Sequence, residues 1–476
     1  MRGILTITLS GGLLLVLINS CSQSPNGAKT GSISGQVLLE NQSTHGGVTV
    51  ALYETASLDS LTDALTRQYL NSSFLLSQPA IFDHRQANSI SETTTSADGS
   101  FKLEKIPEGE YNVVAEKDGF GWKYVYNVDL NVGSKSLAPL TLKETREVQG
   151  TIAANETWES DRHYLVTGDI TIPTGVSLTI QENTVIRFDG IYKMEVQGDL
   201  NLTGTSDGLV WFTSANQTPS QGDWKGLLID NQKRSTQVVN NCRIDYANTA
   251  IDISNSDLLV DNTSVKKNNL GISVFESDVT LQNSLIYKCD RGMLQQGNSN
   301  INILKNIFST ISENDIINSS SNNEISDNVF MGGKVCLFYR QLPSLSIRIH
   351  HNLFREYETV LSLESSKEFV LFNNNTVRKC TSEGVFAISN SYPNLASNNF
   401  VDNDMHVVTK GGRSKHDEPL QTADIQAVNC WWGTINESDI RAKIRDGNTD
   451  GTESELGQVI IIPKQESEIP TAFPRK

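Results

Sequence analysis

Between Gly31 and about Lys143, apolar and polar positions alternate in short runs. "SISGQVLLE" and "VTVALYE" have the period of two that marks strands. "TTTSADGSFKLEKIPEGEYNVVAEKDGFG" carries three turn signals, "ADGS", "PEGE" and "KDGF", each offering a Gly where positive φ is expected. "VYNVDLNVGSKSLAPLTLKE" adds two more strands, and some seven strands at this spacing predict a sandwich. The alternation breaks between Glu54 and Glu92. There Leu58, Leu61, Leu65 and Tyr69 fit one face of a short helix. The insertion at 54–92 is longer than a hairpin connection, so a cap over the sandwich is expected, with a binding insertion as the alternative.

After Val148 the strands stay short, tight polar turns separate them, and "GDI" at Gly168 returns as "GDL" at Gly198. A longer period then emerges. Asn241, Asn262, Asn283, Asn306, Asn328, Asn352, Asn375 and Asn399 each open a similar phrase, at intervals of 21, 21, 23, 22, 24, 23 and 24 residues. A period of this size means one supersecondary unit per repeat, stacked as a solenoid. Helical repeats would be longer and show a 3.6-residue rhythm, and the leucine signature of leucine-rich repeats is absent.

Stacking assigns roles to positions. Coils about 4.8 Å apart place equivalent residues above one another, so a turn Asn can bond to its copies. Two places after the Asn, the pattern predicts an inward column of Leu285, Phe308, Phe330, Phe354, Val377 and Val401. Three places before it, Leu259, Ile303, Ile325, Ile349 and Phe372 form a second. One place before it stand Asn240, Asp261, Gln282, Lys305, Asp327, His351, Asn374 and Asn398, expected to face outward. The conspicuous "IRIHHNLFREYE" from Ile347 to Glu358 therefore reads first as an ordinary coil, with His351 in the outward row. No HExxH or other metal spacing surrounds His350 and His351.

Composition narrows the partners. A formal net charge of −16 argues against nucleic acid, because phosphate binding needs clustered Lys and Arg. Cys242, Cys289, Cys336, Cys380 and Cys430 are odd in number and far apart, with no CxxC, so buried thiols are expected rather than disulfides or zinc. At the N-terminus, Arg2 precedes an apolar run too short for a membrane span, which reads as a signal segment at 1–20. A polar tether follows at 21–30.

Three stretches resemble known families. "INSC" at Ile18–Cys21 is similar to a bacterial lipobox, which implies lipidation of Cys21, a membrane anchor and a place at the outer membrane or cell surface. "SISGQV", "TTTSADGSFKLEKIPEGEYNVVAEKDGF" and "LAPLTL" look like the carboxypeptidase regulatory-like domain, an immunoglobulin-type sandwich; the resemblance covers 31–143 and implies no chemistry. "YLVTGDITIPTGVSLTIQENTVIRF" and the coils after it resemble the right-handed parallel β-helix of pectate-lyase-like proteins. "NCWWGTINESDIRAKIRDGNTDGTESELGQVIIIP" is similar to their closing segments: Asn429, Trp432 and Gly433 end the last coil, and a short helix and a final strand follow. This third resemblance spans 148–463 and leaves a tail at 464–476. The fold expected is all-β: an Ig-like sandwich, then a single-stranded right-handed parallel β-helix.

Enzymes of that fold carry Asp, Glu, Arg or Lys on the outer strand faces, by the same resemblance. Arg291, Arg340, Arg348 and Arg355 lie on neighbouring coils and could form such a patch; solvated charges explain them equally well. "NTDG" at Asn448–Gly451 copies part of a polygalacturonase motif whose other parts are missing. Asp446, Asn448 and Asp450 have calcium-loop spacing without the closing bidentate Glu, so calcium is a weak candidate and a plain turn the stronger one. With no assembled catalytic set, the expectation is a monomeric surface lipoprotein that binds a glycan or the envelope, with Lys305, Asp327, His351, Arg348, Arg355 and Arg291 facing the ligand. The alternatives are a polysaccharide lyase or hydrolase, and an adhesin with a protein partner.

Overall fold

A computed structural model describes residues 29–70, 74–131, 133–232, 235–318, 322–340, 346–364, 370–388, 391–410, 424–446 and 457–475. The signal segment, Cys21, Asn448 and Asp450 lie outside the described residues.

Two four-stranded sheets form the N-terminal unit. One contains Thr30–Leu39 between Ser100–Pro107 and the short strands Ser134–Ser136 and Leu140–Leu142; the other contains Ser91–Thr94, Thr49–Glu54, Gly109–Lys117 and Gly121–Leu130. Alternation buries Ile33, Val37, Val50, Leu52, Phe101, Leu103 and Val113 between them. The sandwich therefore follows from the period-two pattern. Of the three turn glycines, Gly99 and Gly119 have positive φ; Gly109 instead begins a strand. A Cβ at Gly99 would stand 2.2 Å from the Val37 carbonyl oxygen.

Among the described residues after Thr145, 29 strands wind into one parallel sheet system, with strands stacked above their counterparts in the preceding coil. Three faces result. The first includes Ile301–Leu304, Asn323–Ser326, Ile347–His350 and Val370–Asn373; the second includes Leu285–Tyr287, Ile307–Ser309 and Thr376–Arg378; the third includes Leu270–Phe275, Arg291–Gln296 and Glu383–Ile388. The corner between the first and second faces is one residue in the left-handed region: Asn241, Asn262, Asn283, Lys305, Asp327, His351, Asn374 and Ser397, with φ from 45° to 62°. Asn tolerates that region because its short polar side chain bonds locally.

The repeat phrase had merged two columns one residue apart. Asn241, Asn262 and Asn283 are corner residues, whereas Asn306, Asn328, Asn352 and Asn375 are the next residue, buried inside the coil. Asn398, not Asn399, continues this inner ladder. Cys242, Thr263 and Ser284 occupy it in the earlier coils. The Asn row therefore slips by one between Asn283 and Asn306, and the columns built on it shift with it. The inward column is Val265, Ile286, Phe308, Phe330, Phe354, Val377 and Phe400, so Leu285 and Val401 do not belong to it. The other is Val260, Leu281, Ile303, Ile325, Ile349 and Phe372; Leu259 points outward. Phe308, Phe330 and Phe354 stack at centroid spacings of 4.9 Å, the repeat of the coil itself.

The outward column of the second face is buried along its whole length: Val185, Trp211, Arg243, Ser264, Leu285, Ile307, Val329, Leu353, Thr376 and Asn399. Three parts of the chain cover it. The sandwich brings Tyr53, Val114 and Trp122 to Val185 and Trp211. The 54–92 insertion lays Leu58, Phe74 and Leu75 on Leu285 and Ile307, and Leu65 on Val329 and Leu353. The tail returns to bond Thr376 and Asn399 through the carbonyls of Ala472 and Ile469. The insertion thus lies on both units: Phe82 and His84 cover the sandwich at Tyr53, Tyr124 and Tyr126, and the apolar side of its helix, Ser60–Leu65, meets the aliphatic column outside the coils. Burying each such aliphatic side chain is worth roughly 1.5–3 kcal/mol.

At the far end Trp432 stacks on Phe400 at 4.9 Å, and the helix Glu437–Arg441, N-capped by Asn436, buries Ile440 over the core. The strand Val459–Ile460 pairs with Ile425–Gln426. Cys242, Cys289, Cys336, Cys380 and Cys430 are free and buried, as expected.

Candidate functional site

The sequence candidates divide among the three faces. Arg348 lies on the first, Arg355 on the second and Arg291 on the third. No common patch of Arg291, Arg340, Arg348 and Arg355 forms, because a turn separates each face from the next. Arg291 pairs with Glu313 at 2.7 Å, Arg340 with Glu364 at 3.0 Å, and Arg355 with the adjacent Glu356 at 2.9 Å. Lys305 is exposed at the corner. Asp446 is buried in the cap, where its carboxylate accepts the Val459 N–H at 2.8 Å and pairs with Arg441 at 3.5 Å.

One connected group remains, centred on Arg348, His350, His351 and Asp327. In-register stacking sets Glu324 directly beneath Arg348 and Ser326 beneath His350. Arg348 Nε stands 2.7 Å from Glu324 Oε2, and His350 Nε2 bonds the other carboxylate oxygen. His350 Nδ1 lies 2.8 Å from His351 Nδ1. A neutral pair satisfies both contacts if His350 Nε2–H donates to Glu324 and His351 Nδ1–H donates to His350, which leaves His351 Nε2 as an acceptor. Burial, Arg475 and His350 together hold the His351 imidazole below its ordinary range, outweighing Asp327. Burial pushes the Asp327 carboxyl up, but hydrogen bonds from Arg475 prevail and hold it below the usual carboxylate range.

Beside this group runs an open groove of about 340 Å³, lined by Asn300, Asn302, Asn322, Glu324, Ser346 and Arg348. Asn302, Glu324 and Arg348 are consecutive members of one outward column. Asn322 donates to Asn300 at 3.3 Å and accepts the Ser346 N–H at 3.1 Å. The strip offers amide, hydroxyl, carboxylate and guanidinium groups at the spacing of the coils, a surface suited to a polyhydroxylated chain. Among the described residues no three His, Cys, Asp or Glu side chains come together in a way that could hold a metal ion.

Reading the columns one by one missed Glu324, Asn302 and Arg475. The first was legible: "NEISDN" under "IRIHHN" stacks Glu324 on Arg348 and Asp327 on His351. Arg475 carried no such signal, since it belongs to no repeat.

Residues 225–400 match the family model of the right handed beta helix region, and residues 150–250 that of the pectate-lyase like beta helix domain. No curated protein matches the chain. Among solved structures, the chain is similar to the Bacillus anthracis TIE protein at 13% identity and a TM-score of 0.15, over 27% of this chain and 19% of that one. It is also similar to the catalytic domain of a GH87 alpha-1,3-glucanase D1069A in complex with tetrasaccharides, at 9% identity and a TM-score of 0.23, over 88% of each chain. Likenesses this remote do not bear on function. With its stacked parallel coils and these family matches, the body of the chain is a right-handed parallel β-helix of the pectate-lyase-like fold.

Proposed function

We propose that this is a glycan-binding β-helix protein, tethered to the bacterial cell envelope through lipid on Cys21 and carrying a carboxypeptidase regulatory-like sandwich as an accessory module. The observation that carries the reading is the open groove with Asn302, Glu324 and Arg348 on consecutive coils. Arg348 keeps 60% of its side chain exposed while Glu324 fixes its orientation, so its remaining donors face solvent. Polar groups at a fixed rise suit a polymer running across the coils. The test is retention on immobilised polysaccharides: Arg348→Ala and Asn302→Ala should each lower affinity by about tenfold, or 1.4 kcal/mol. Unchanged retention in both variants removes the groove as the binding surface.

One observation favours a second reading, a polysaccharide lyase or hydrolase. The Glu324–His350–His351 chain ends in an imidazole nitrogen able to accept a proton, with a carboxylate orienting the pair. Cleavage of any polysaccharide that His351→Ala abolishes would establish it.

A further inference from the structure

A second open section, of about 470 Å³, runs along the turn between the third and first faces, lined by Gln232, Asn255, Glu276 and Asn298 from successive coils. Beneath it a buried ladder fixes the backbone. Ser256 Oγ accepts the Asn231 N–H at 2.8 Å, Ser277 Oγ the Ser256 N–H at 3.1 Å, and Ser299 Oγ the Ser277 N–H at 3.1 Å. Asn255 and Glu276 take the left-handed conformation at φ 46°, and Gly297 follows them at 69°. The section meets the groove beside Arg348, since buried Ser299 alone separates Asn298 from Asn300 in the chain. From Asn255 to Arg348 the two span about 20 Å at the spacing of the coils.

Phe275, 44% exposed, ends the third-face strand Leu270–Phe275, and its counterparts in the neighbouring coils are Ser254 and Gln296. No column of stacked rings accounts for it. A Cβ at Gly297 would stand 2.9 Å from Glu276 Cγ and 3.3 Å from Phe275 Cδ2, so the ring and the carboxylate stem both lie over Gly297, beside Asn298. An exposed ring next to a carboxylate and two amides offers a face to the C–H groups of a sugar, and acceptors and donors to its hydroxyls. Charge decides which sugar. Among the described residues, the charged groups lining the two sections are Glu276, Glu324 and Arg348, and Arg348 already pairs with Glu324 at 2.7 Å. No cation among the described residues pairs with Glu276. Exposed Asp278, which accepts from Asn300 Nδ2 at 2.8 Å, adds a second negative charge two residues on. An acidic polymer would set its own anions against both.

We infer that the groove continues over Gly297 to Phe275 and holds an uncharged polysaccharide lying along the solenoid axis, with the Phe275 ring against one sugar and Glu276 accepting from its hydroxyls. The inference rests on the glycan-binding reading and adds to it the class of polymer and a second point of contact.

The test runs the full chain over immobilised neutral polymers (an α-glucan, a β-glucan, mannan and xylan) and over polygalacturonate and alginate, as wild type, Phe275→Ala and Arg348→Ala. The expected result is retention of a neutral polymer and of neither acidic one, weakened about tenfold in Phe275→Ala and weakened also in Arg348→Ala. Phe275 is exposed, so Phe275→Ala should keep the wild-type urea midpoint, and Phe275→Tyr, which keeps the ring, should bind as the wild type does. Retention of an acidic polymer as strong as that of any neutral one, or a neutral polymer held equally by Phe275→Ala, would overturn the inference. If Arg348→Ala still weakens that retention, the groove stands without it. No retention of any polymer, or retention that neither variant alters, removes both.

Discussion

Arg475 Nη2 stands 2.7 Å from Asp327 Oδ2 and its Nε 2.9 Å from Oδ1, a forked contact across 148 residues. It ties the returning tail to the corner row, next to His351. Because Arg475 is 58% exposed on its side chain, solvent screens the pair, and Arg475→Ala should cost only about 0.5–1 kcal/mol of stability. Deleting 465–476 should cost more, roughly 3 kcal/mol: Phe473 leaves its stack on Tyr69 at 5.6 Å, and Thr376 and Asn399 lose their partners while buried beside the gap. Urea unfolding of both variants checks the order. In Arg475→Ala the His351 imidazole should also titrate at higher pH, since a cation is removed and Asp327 is freed; NMR of the His351 ring reports it.

The inner Asn ladder should be worth more than the corner Asn row. Asn328 accepts from the Asn306 backbone at 2.8 Å and donates to the Ile303 carbonyl at 2.8 Å and to Asn352 at 2.9 Å. Asn328→Ala strips the buried Asn306 N–H of its acceptor and removes the side-chain bonds to Ile303 and Asn352, and should cost about 3 kcal/mol or more. Asn283→Gly, at a partly exposed corner with φ 49°, should be close to neutral because Gly adopts that conformation freely. Denaturant midpoints of the two variants separate the columns that the sequence phrase had merged.

Lys266 predicts an alkaline slope. Burial first, then Arg243, lower its ammonium to about 7, against an ordinary value of 10.5. Between those values the unfolded chain binds a proton that the folded chain lacks, so stability rises with pH across that window, by about 1.4 kcal/mol per pH unit at its centre. Below pH 7 both states are protonated and the penalty is complete. Lys266→Met, which removes the proton but also the bond to the Ile81 carbonyl, should flatten the slope whatever it does to stability at pH 7. An unchanged slope between pH 7 and 10 would contradict this role.

The solenoid was legible because stacking repeats a chemical choice at every coil: Ile303, Ile325 and Ile349 announce a column by themselves. The one-residue slip was not, because Asn serves both at the left-handed corner and in the buried ladder, for different reasons. The insertion's contact with the solenoid went unread for a related reason. Leu285, Ile307, Val329 and Leu353 are apolar because another part of the chain lies on them, and a column read alone does not say from which side it is covered. Arg348 and His351 stood out in the sequence, while Glu324, which joins Arg348 to His350, becomes visible only when two coils are laid in register.

The measurement that tests the central claim most directly sets wild type beside Arg348→Ala on a panel of acidic and neutral polysaccharides, with and without calcium. Retention, new reducing ends and the absorbance of unsaturated products are recorded together. The account predicts retention of at least one polymer by the wild type, loss of about tenfold in Arg348→Ala, and no product in either optical channel. Cleavage of any polymer, or retention that Arg348→Ala leaves untouched, would contradict it.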